Sequence, residues 1–416
     1  MTTGQGCSSI IVYSFRKVEA VMSQGRKPLL LVLVLALLLV ATNAVVFAQA
    51  PEQTIKVGIM GPFTGPAASI GQEQLNWAKL AVADFNAATG WNVELVEGDT
   101  QIDPAIAVTI AEALISDPEI YAVVGPAGSQ EVEAVAAAFV DARLAHISGS
   151  ATRPSLTTSG FDTFFRTVPT DAAQGPTDGN FLAYELGVTK LFVIDDQTSY
   201  AVGLADEASA AFEAAGGEIL GRESVTQEDT DFSSLATVIG ASGAEAVFFP
   251  GQIASQGALL ARAFAEQGIE VILFGADGFF SVDDFIAGAA GTTEGAYVSA
   301  FAPDIHDLES SADIVARYTE QYGEFGTFGP PTYAATIVAL EAIQRAYEAG
   351  ELSREAVRDQ VAATDQELSV LGGPLAFDEN GDVLDASFYI FQVQGDNFVL
   401  VPTSADEAEP EATPSS

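Results

Sequence analysis

Short apolar runs alternate with longer amphipathic segments from residue 54 onward, and no other feature restricts the possible folds as strongly. Residues 55–60 read as a strand, followed by a helix over 72–88, a strand over 93–97 and a helix over 104–116. A strand at 121–124, a helix at 130–142 and a strand at 145–148 continue the series. A second series starts after Pro169, with strands at 191–194, 218–222, 246–249 and 271–274 alternating with helices at 172–185, 202–215, 232–239 and 256–267. Parallel strands require a long crossover, which a helix supplies, and the crossovers cover both faces of the sheet. An α/β architecture follows, with two doubly wound parallel-sheet lobes rather than one very large sheet. After a strand at 297–300 the chain turns helical over 312–322, 333–349 and 354–363. It then closes with short strands near 375–377, 387–394 and 398–400.

The segment before this series reads as an address. Residues 29–41 form an unbroken apolar run behind Arg26 and Lys27, and small residues surround Val46-Phe47-Ala48, as a secretory cleavage site requires. The run is shorter than the roughly 20 residues of a membrane span. Residues 1–48 are therefore expected to be a signal peptide cut after Ala48, with Met22 as the true start. Cys7 precedes the run, so it is not the acylated cysteine of a lipoprotein. The product is expected to be exported, periplasmic or extracellular. Residues 402–416 hold only Pro, Ser, Thr, Ala and acidic side chains and are expected to be a disordered acidic tail.

Composition narrows the chemistry. The 57 Asp+Glu outnumber the 16 Lys+Arg, and a net charge of −41 repels phosphate backbones, so no nucleic acid is expected as partner. One cysteine and two histidines, His146 and His306, leave no disulfide framework, Cys-based zinc site or multi-histidine metal centre. No cofactor is expected.

Several motifs carry a resemblance. Ile55-Lys-Val-Gly-Ile-Met-Gly-Pro-Phe-Thr-Gly-Pro opens the series, and Asp103-Pro-Ala-Ile-Ala-Val follows the second strand. Tyr121-Ala-Val-Val-Gly-Pro-Ala-Gly-Ser, Phe165-Arg-Thr-Val-Pro-Thr-Asp-Ala-Ala-Gln-Gly and Phe377-Asp-Glu-Asn-Gly-Asp come later in the same order. Over residues 54–400 the chain resembles the periplasmic branched-chain amino-acid-binding proteins of ABC transporters. The resemblance implies a type I periplasmic-binding-protein fold, with two lobes joined by three crossovers and a ligand cleft between them. The crossovers should fall near residues 169–171, 299–301 and 373–375. Lobe 1 would then comprise 53–170 plus 301–374, and lobe 2 171–300 plus 375–401. Hinge closure over a small amino acid, and docking on a membrane permease as a monomer, are also implied.

An amino acid presents a carboxylate, an ammonium and a side chain, and its site needs a partner for each. Ser129 stands between a strand and the helix near 130, where unpaired N–H groups seat a carboxylate without Lys or Arg. It matches a family serine that contacts the ligand carboxylate, and it also reads as an ordinary helix cap. Ser150, Ala151 and Thr152 follow the strand 145–148 at the sheet's carboxyl edge, where open α/β folds bind ligands. The resemblance assigns the backbone of Ser150 and Ala151 and the hydroxyl of Thr152 to the carboxylate and ammonium. Asp277, in Phe274-Gly-Ala-Asp-Gly, matches a carboxylate that pairs with the ammonium. Tyr200 matches an aromatic that covers the ligand, while Ile70 replaces a family tryptophan near its side chain. Phe328 shares that wall. Gln252 stands where the family has a tyrosine.

The last two departures leave alternatives open: an amide, a urea-like compound or an aromatic compound as ligand. A ligand-sensing partner of a membrane receptor is a further reading. An enzyme is not expected. His146 leads a buried strand, no Gly-x-Ser-x-Gly surrounds Ser150, and no phosphate loop appears.

Overall fold

A computed structural model describes residues 50–51, 54–301 and 303–402. The expected signal peptide and residues 403–416 of the expected tail lie outside the described residues. The first half of the chain runs β1 (Ile55–Gly61), α1 (Ala68–Thr89), β2 (Val93–Asp99), α2 (Pro104–Ser116), β3 (Ile120–Val124), α3 (Ser129–Asp141) and β4 (Ala145–Ser148). A single turn, α4 (Ser155–Thr158), then leads to β5 (Phe164–Arg166). These strands make one sheet in the order β2-β1-β3-β4-β5, parallel throughout. Capping fixes some boundaries sharply. Asp103 Oδ1 accepts from the Ala105 N–H (2.7 Å) and the Ile106 N–H (3.0 Å), and Pro104 opens α2 where its missing N–H is harmless.

The second series comprises α5 (Asp171–Asn180), β6 (Lys190–Asp195), α6 (Ser199–Ala214), β7 (Glu218–Ser224), α7 (Ser233–Ser242), β8 (Ala246–Phe249), α8 (Ala254–Gln267), β9 (Ile272–Gly275) and β10 (Tyr297–Ala300). The single helix expected over 172–185 is α-helical only to Asn180 and then widens into a π-turn over Phe181–Glu185. Gly179 lets α5 lie close against α6, since a Cβ there would sit 2.5 Å from the Ala208 carbonyl oxygen. The helices α9 (Ala312–Tyr322), α10 (Gly329–Glu348) and α11 (Arg354–Ala362) return to the first sheet, α10 against α1 and α11 against β3 and β4.

A short ladder of β11 (Asp365–Gln366) with β12 (Leu375–Ala376) precedes β13 (Tyr389–Gln394) and β14 (Asn397–Leu400). The second sheet has the order β14-β13-β10-β9-β8-β6-β7, parallel except for β13 and β14. Both of its faces are buried. Phe192, Ile194, Val247 and Phe249 enter one core, while Leu191, Val193, Ala246 and Phe248 enter the other. The fold is thus two α/β lobes joined by three crossovers. The third differs from its expected place: residues 375–376 pair with 365–366, Asp382 pairs with Arg166 of β5, and the chain joins the second sheet only at Tyr389.

The sequence reading left β5 unassigned, because three residues are too few to show a period. It also began α10 four residues late, past Pro330 and Pro331, which a first helical turn tolerates.

Candidate functional site

The carboxyl edges of the two sheets face one another, and the loops that leave them enclose a narrow cavity of about 20 Å³. From the first lobe come Ile70 on α1, Ala127 and Ser129 after β3, Ser150 after β4 and Phe328 at the start of α10. From the second come Tyr200 on α6, Gln252 after β8, and Asp277 and Gly278 after β9. Seven of the nine expected residues therefore line one space.

Its polar ends differ in sign. At the first lobe, Ser129 is the first residue of α3, and the N-cap position belongs to Gly128. Ser129 is thus released from the capping role that the sequence left open, and its Oγ accepts from the Arg153 N–H at 3.3 Å. The Gly128 N–H donates to Glu131 Oε2 at 2.7 Å, and burial pushes that carboxyl up to about 7. The Ser150 hydroxyl donates to the Ala127 carbonyl (2.9 Å) and accepts from Gln74 Nε2 (2.9 Å), which fixes its direction.

At the second lobe, Asp277 opens a 3₁₀ turn and is buried. Its Oδ1 accepts from the Tyr200 hydroxyl (2.7 Å) and from Gln174 Nε2 (2.8 Å). Burial raises its pKa to about 6, and these two donors hold the rise in check. Gly278 passes so near the 250s loop that a Cβ would lie 2.3 Å from the Gly251 carbonyl oxygen.

Ile70, Ile102, Ala127 and Phe328 belong to a single apolar cluster, which also contains Val168, Ile253 and Phe301. Ile102 holds a φ of 61°, an unfavourable region for a β-branched residue, and follows Gln101 at 53°. That conformation turns Ile102 into the cavity wall, and the apolar identity of the residue gave no hint of it.

Gln252 lies across from the first lobe. Gln130 Nε2 donates to Gln252 Oε1 at 2.7 Å, and Gln252 Nε2 donates back to Gln130 Oε1 at 3.3 Å. Gln227 adds a donor to the same Oε1 at 2.9 Å, and Asp196 accepts from the Gln252 N–H at 3.0 Å. Arg153 makes a second bridge, donating to the Ser199 carbonyl. The lobes are closed on each other.

Two expected residues stand behind the cavity rather than on its wall. The Ala151 N–H donates to Ser148 Oγ (3.0 Å) and its carbonyl accepts from Arg166 Nη1 (3.1 Å), so both backbone groups are engaged within the lobe. Thr152 is fully buried, its hydroxyl faces the Asp171 carboxyl, and its carbonyl accepts from the Asp171 N–H at 3.0 Å. Arg166, which the sequence reading left without a role, organises this turn. Buried in the lobe, it pairs with Asp382 and donates to the carbonyl of Arg153 (2.7 Å) and to Thr157 Oγ1 (2.8 Å).

His146 is an aromatic core residue, stacked on Phe139 with centroids 4.5 Å apart, and burial lowers its pKa to about 3. His306 is exposed and stacks on Phe325. Neither reaches the cavity.

The geometry can be set beside known proteins. Residues 54–397 match the family model described as periplasmic binding protein. The chain belongs to this family. A leucine-, isoleucine-, valine-, threonine- and alanine-binding protein of Pseudomonas aeruginosa is 30% identical over 342 residues, covering 82% of this chain and 90% of the relative. Among solved structures, a leucine-binding protein of Thermotoga maritima superposes with a TM-score of 0.77 at 24% identity, covering 84% of this chain and 98% of the other. The branched-chain amino-acid transporter substrate-binding protein LivJ of Streptococcus pneumoniae, solved with isoleucine, gives 0.75 at 25% identity, covering 84% and 99%. In the family's terms, this structure is a type I binding protein with its lobes shut.

Proposed function

We propose that this chain is an exported solute-binding protein, not an enzyme, that captures a branched-chain amino acid (Leu, Ile or Val) between its lobes. As a monomer it delivers that ligand to the membrane permease of an ABC transporter. The observation that carries this reading is one interlobe cavity with a carboxylate at one end, a helix start at the other and an apolar wall between.

The ligand carboxylate takes the α3 start with the hydroxyls of Ser129 and Ser150, where N–H groups and the helix dipole favour negative charge. The ammonium takes Asp277, with Tyr200 covering the pair and Thr152 supporting the turn from behind the wall. Ala151 holds the turn through its two backbone bonds. Ile70, Ile102 and Phe328 receive the side chain, whose full burial contributes about 1.5–3 kcal/mol. The ligands named for the Pseudomonas relative and the isoleucine bound by LivJ support the choice of amino acid. No helix among the described residues is long and apolar enough to cross a membrane.

Thermal unfolding of the ligand-stripped protein against amino acids, amides and aromatic acids tests the reading. Leu, Ile or Val at about 1,000 times its dissociation constant adds about 4 kcal/mol of stability. A response confined to amides or aromatic acids would overturn the ligand and keep the fold.

The reciprocal amide pair gives a second expectation. Closure makes the Gln130–Gln252 contact and opening breaks it, so it favours only the closed state. Gln130→Ala and Gln252→Ala each weaken isoleucine binding about threefold to tenfold, the equivalent of roughly 1 kcal/mol for one hydrogen bond. The double variant is scarcely worse than either single one in a calorimetric cycle. Full additivity would show that the two side chains act separately.

A further inference from the structure

The α5 helix carries a polar stripe on its buried face. Asp171, Gln174 and Asp178 are spaced i, i+3, i+7, and all three are fully buried. Gln174 and Asp178 join Ser299 of β10, Tyr200 of α6 and Asp277 in a hydrogen-bonded network that begins at the cavity wall, and Asp171 lies close enough to act on it through charge. Tyr200 and Gln174 donate to Asp277 Oδ1, Gln174 Nε2 also donates to Ser299 Oγ (3.0 Å), and Ser299 Oγ donates to Asp178 Oδ2 (3.1 Å).

The network is short of donors. Oδ1 of Asp178 and Oε1 of Gln174 have no hydrogen-bond partner, and the Thr152 hydroxyl is the one neutral donor that faces the Asp171 carboxyl among the described residues. It is also short of positive charge. Arg166 and Arg153 lie near enough to influence Asp171, but they are committed to Asp382, Glu133 and backbone carbonyls. The groups facing Asp178 are the acids Asp171 and Asp277, and Tyr200 faces all three carboxyls. Three acids thus share a buried space, and among the described residues none of them is in an ion pair. Among the described residues no group of three or more such side chains is arranged to hold a metal ion.

We propose that Asp171 and Asp178 are positioning residues that load this cluster with proton in the free protein, and that the ligand's ammonium displaces proton when it reaches Asp277. The step breaks a carboxyl O–H within the cluster, the electron pair stays on the carboxylate, and the proton passes to bulk buffer. It rests on the reading that the ammonium meets Asp277. Burial, followed by repulsion from neighbouring acids, drives the same behaviour: Asp171 is raised to about 7, and Asp178 well above the usual carboxylate range. The titration belongs to the cluster rather than to one member. Taken alone, this release makes ligand affinity fall as the medium becomes acidic.

Glu131 works in the opposite sense. It is buried beside the carboxylate seat, held by the Gly128 N–H and facing the Thr100 hydroxyl, so an arriving carboxylate draws proton onto it. Glu131→Gln removes that uptake and unmasks the release at the other end.

Calorimetry with isoleucine in phosphate and in Tris, whose ionisation heats differ, counts the protons exchanged. In a Glu131→Gln background at pH 6.5, the expected release is a sizeable fraction of a proton up to about one. Affinity drops up to about tenfold per pH unit on acidification. Adding Asp171→Asn or Asp178→Asn keeps binding and reduces both the release and the pH slope. A release of zero, or one unchanged by both substitutions, overturns the proposal.

If isoleucine gives no heat, the functional reading fails instead, and ligand-free unfolding still tests the cluster. Carboxyls raised in the folded state give stability that is full near their unfolded value, about 4, and lost as pH rises through the folded value. The wild-type melting temperature should therefore fall between pH 5.5 and 8, and Asp171→Asn and Asp178→Asn should flatten that fall. A wild-type profile that the substitutions leave unaltered contradicts the proposal.

Discussion

Asp277→Ala should abolish amino-acid capture. Among the described residues the carboxylate is the only acidic group on the cavity wall, and its Oδ1 is oriented by Tyr200 and Gln174 from two different elements. Removing one partner of a buried ion pair leaves the other unpaired, a loss of about 3–5 kcal/mol, or a few hundred- to a few thousand-fold in affinity. Asp277→Asn separates charge from shape. It keeps an oxygen for both donors, so the fold is retained, while the negative charge that meets the ammonium is gone. Without ligand this variant should be no less stable than the wild type near pH 8, because the cluster contains one charge fewer. Calorimetry and unfolding on the same samples check both signs. Unchanged affinity in either variant removes Asp277 from the ammonium seat.

The second large effect falls on stability. Arg166→Ala should destabilise the protein by about 3–5 kcal/mol, since a fully buried guanidinium joins Asp382 to the carbonyls of Ala151 and Arg153. Asp382 belongs to the Phe377-Asp-Glu-Asn-Gly-Asp turn, so this one side chain ties the last crossover to the turn that carries Ser150 and Thr152. Arg166→Lys should fare little better, because a single ammonium lacks the fork that reaches three partners at once. Chemical denaturation gives the number. A loss below about 1 kcal/mol would show that the turn is held by other means.

Much of the cavity wall could be read from sequence because open α/β folds leave a crevice at the carboxyl ends of their strands. Ser129, Ser150, Tyr200, Gln252 and Asp277 all stand there, each just past an apolar run whose end is visible. The unread residues share a different trait. Gln130 pairs with Gln252 from 122 positions away, so nothing local marks Gln130 as its partner. Ile102 reaches the wall through a strained backbone rather than through its side-chain type.

The stripe on α5 is the most instructive case. Asp171, Gln174 and Asp178 have the period of one helical face, and polar residues at that spacing ordinarily face water. Here the polar face is the inner one, because close contact with α6 through Gly175 and Gly179 turns it toward β10 and Asp277. Hydropathy alone orients such a helix the wrong way round. The extra antiparallel strands, β13 and β14, were legible as strands, whereas their direction depends on a chain return that no local pattern encodes.

The most direct measurement is a crystal structure of the mature chain grown with isoleucine. The ligand should lie in the interlobe cavity with its ammonium within about 3 Å of the Asp277 carboxylate, its carboxylate at the start of α3, and its side chain against Ile70, Ile102 and Phe328. Isoleucine bound elsewhere, or in this cavity with its ammonium away from Asp277, would contradict the assignment.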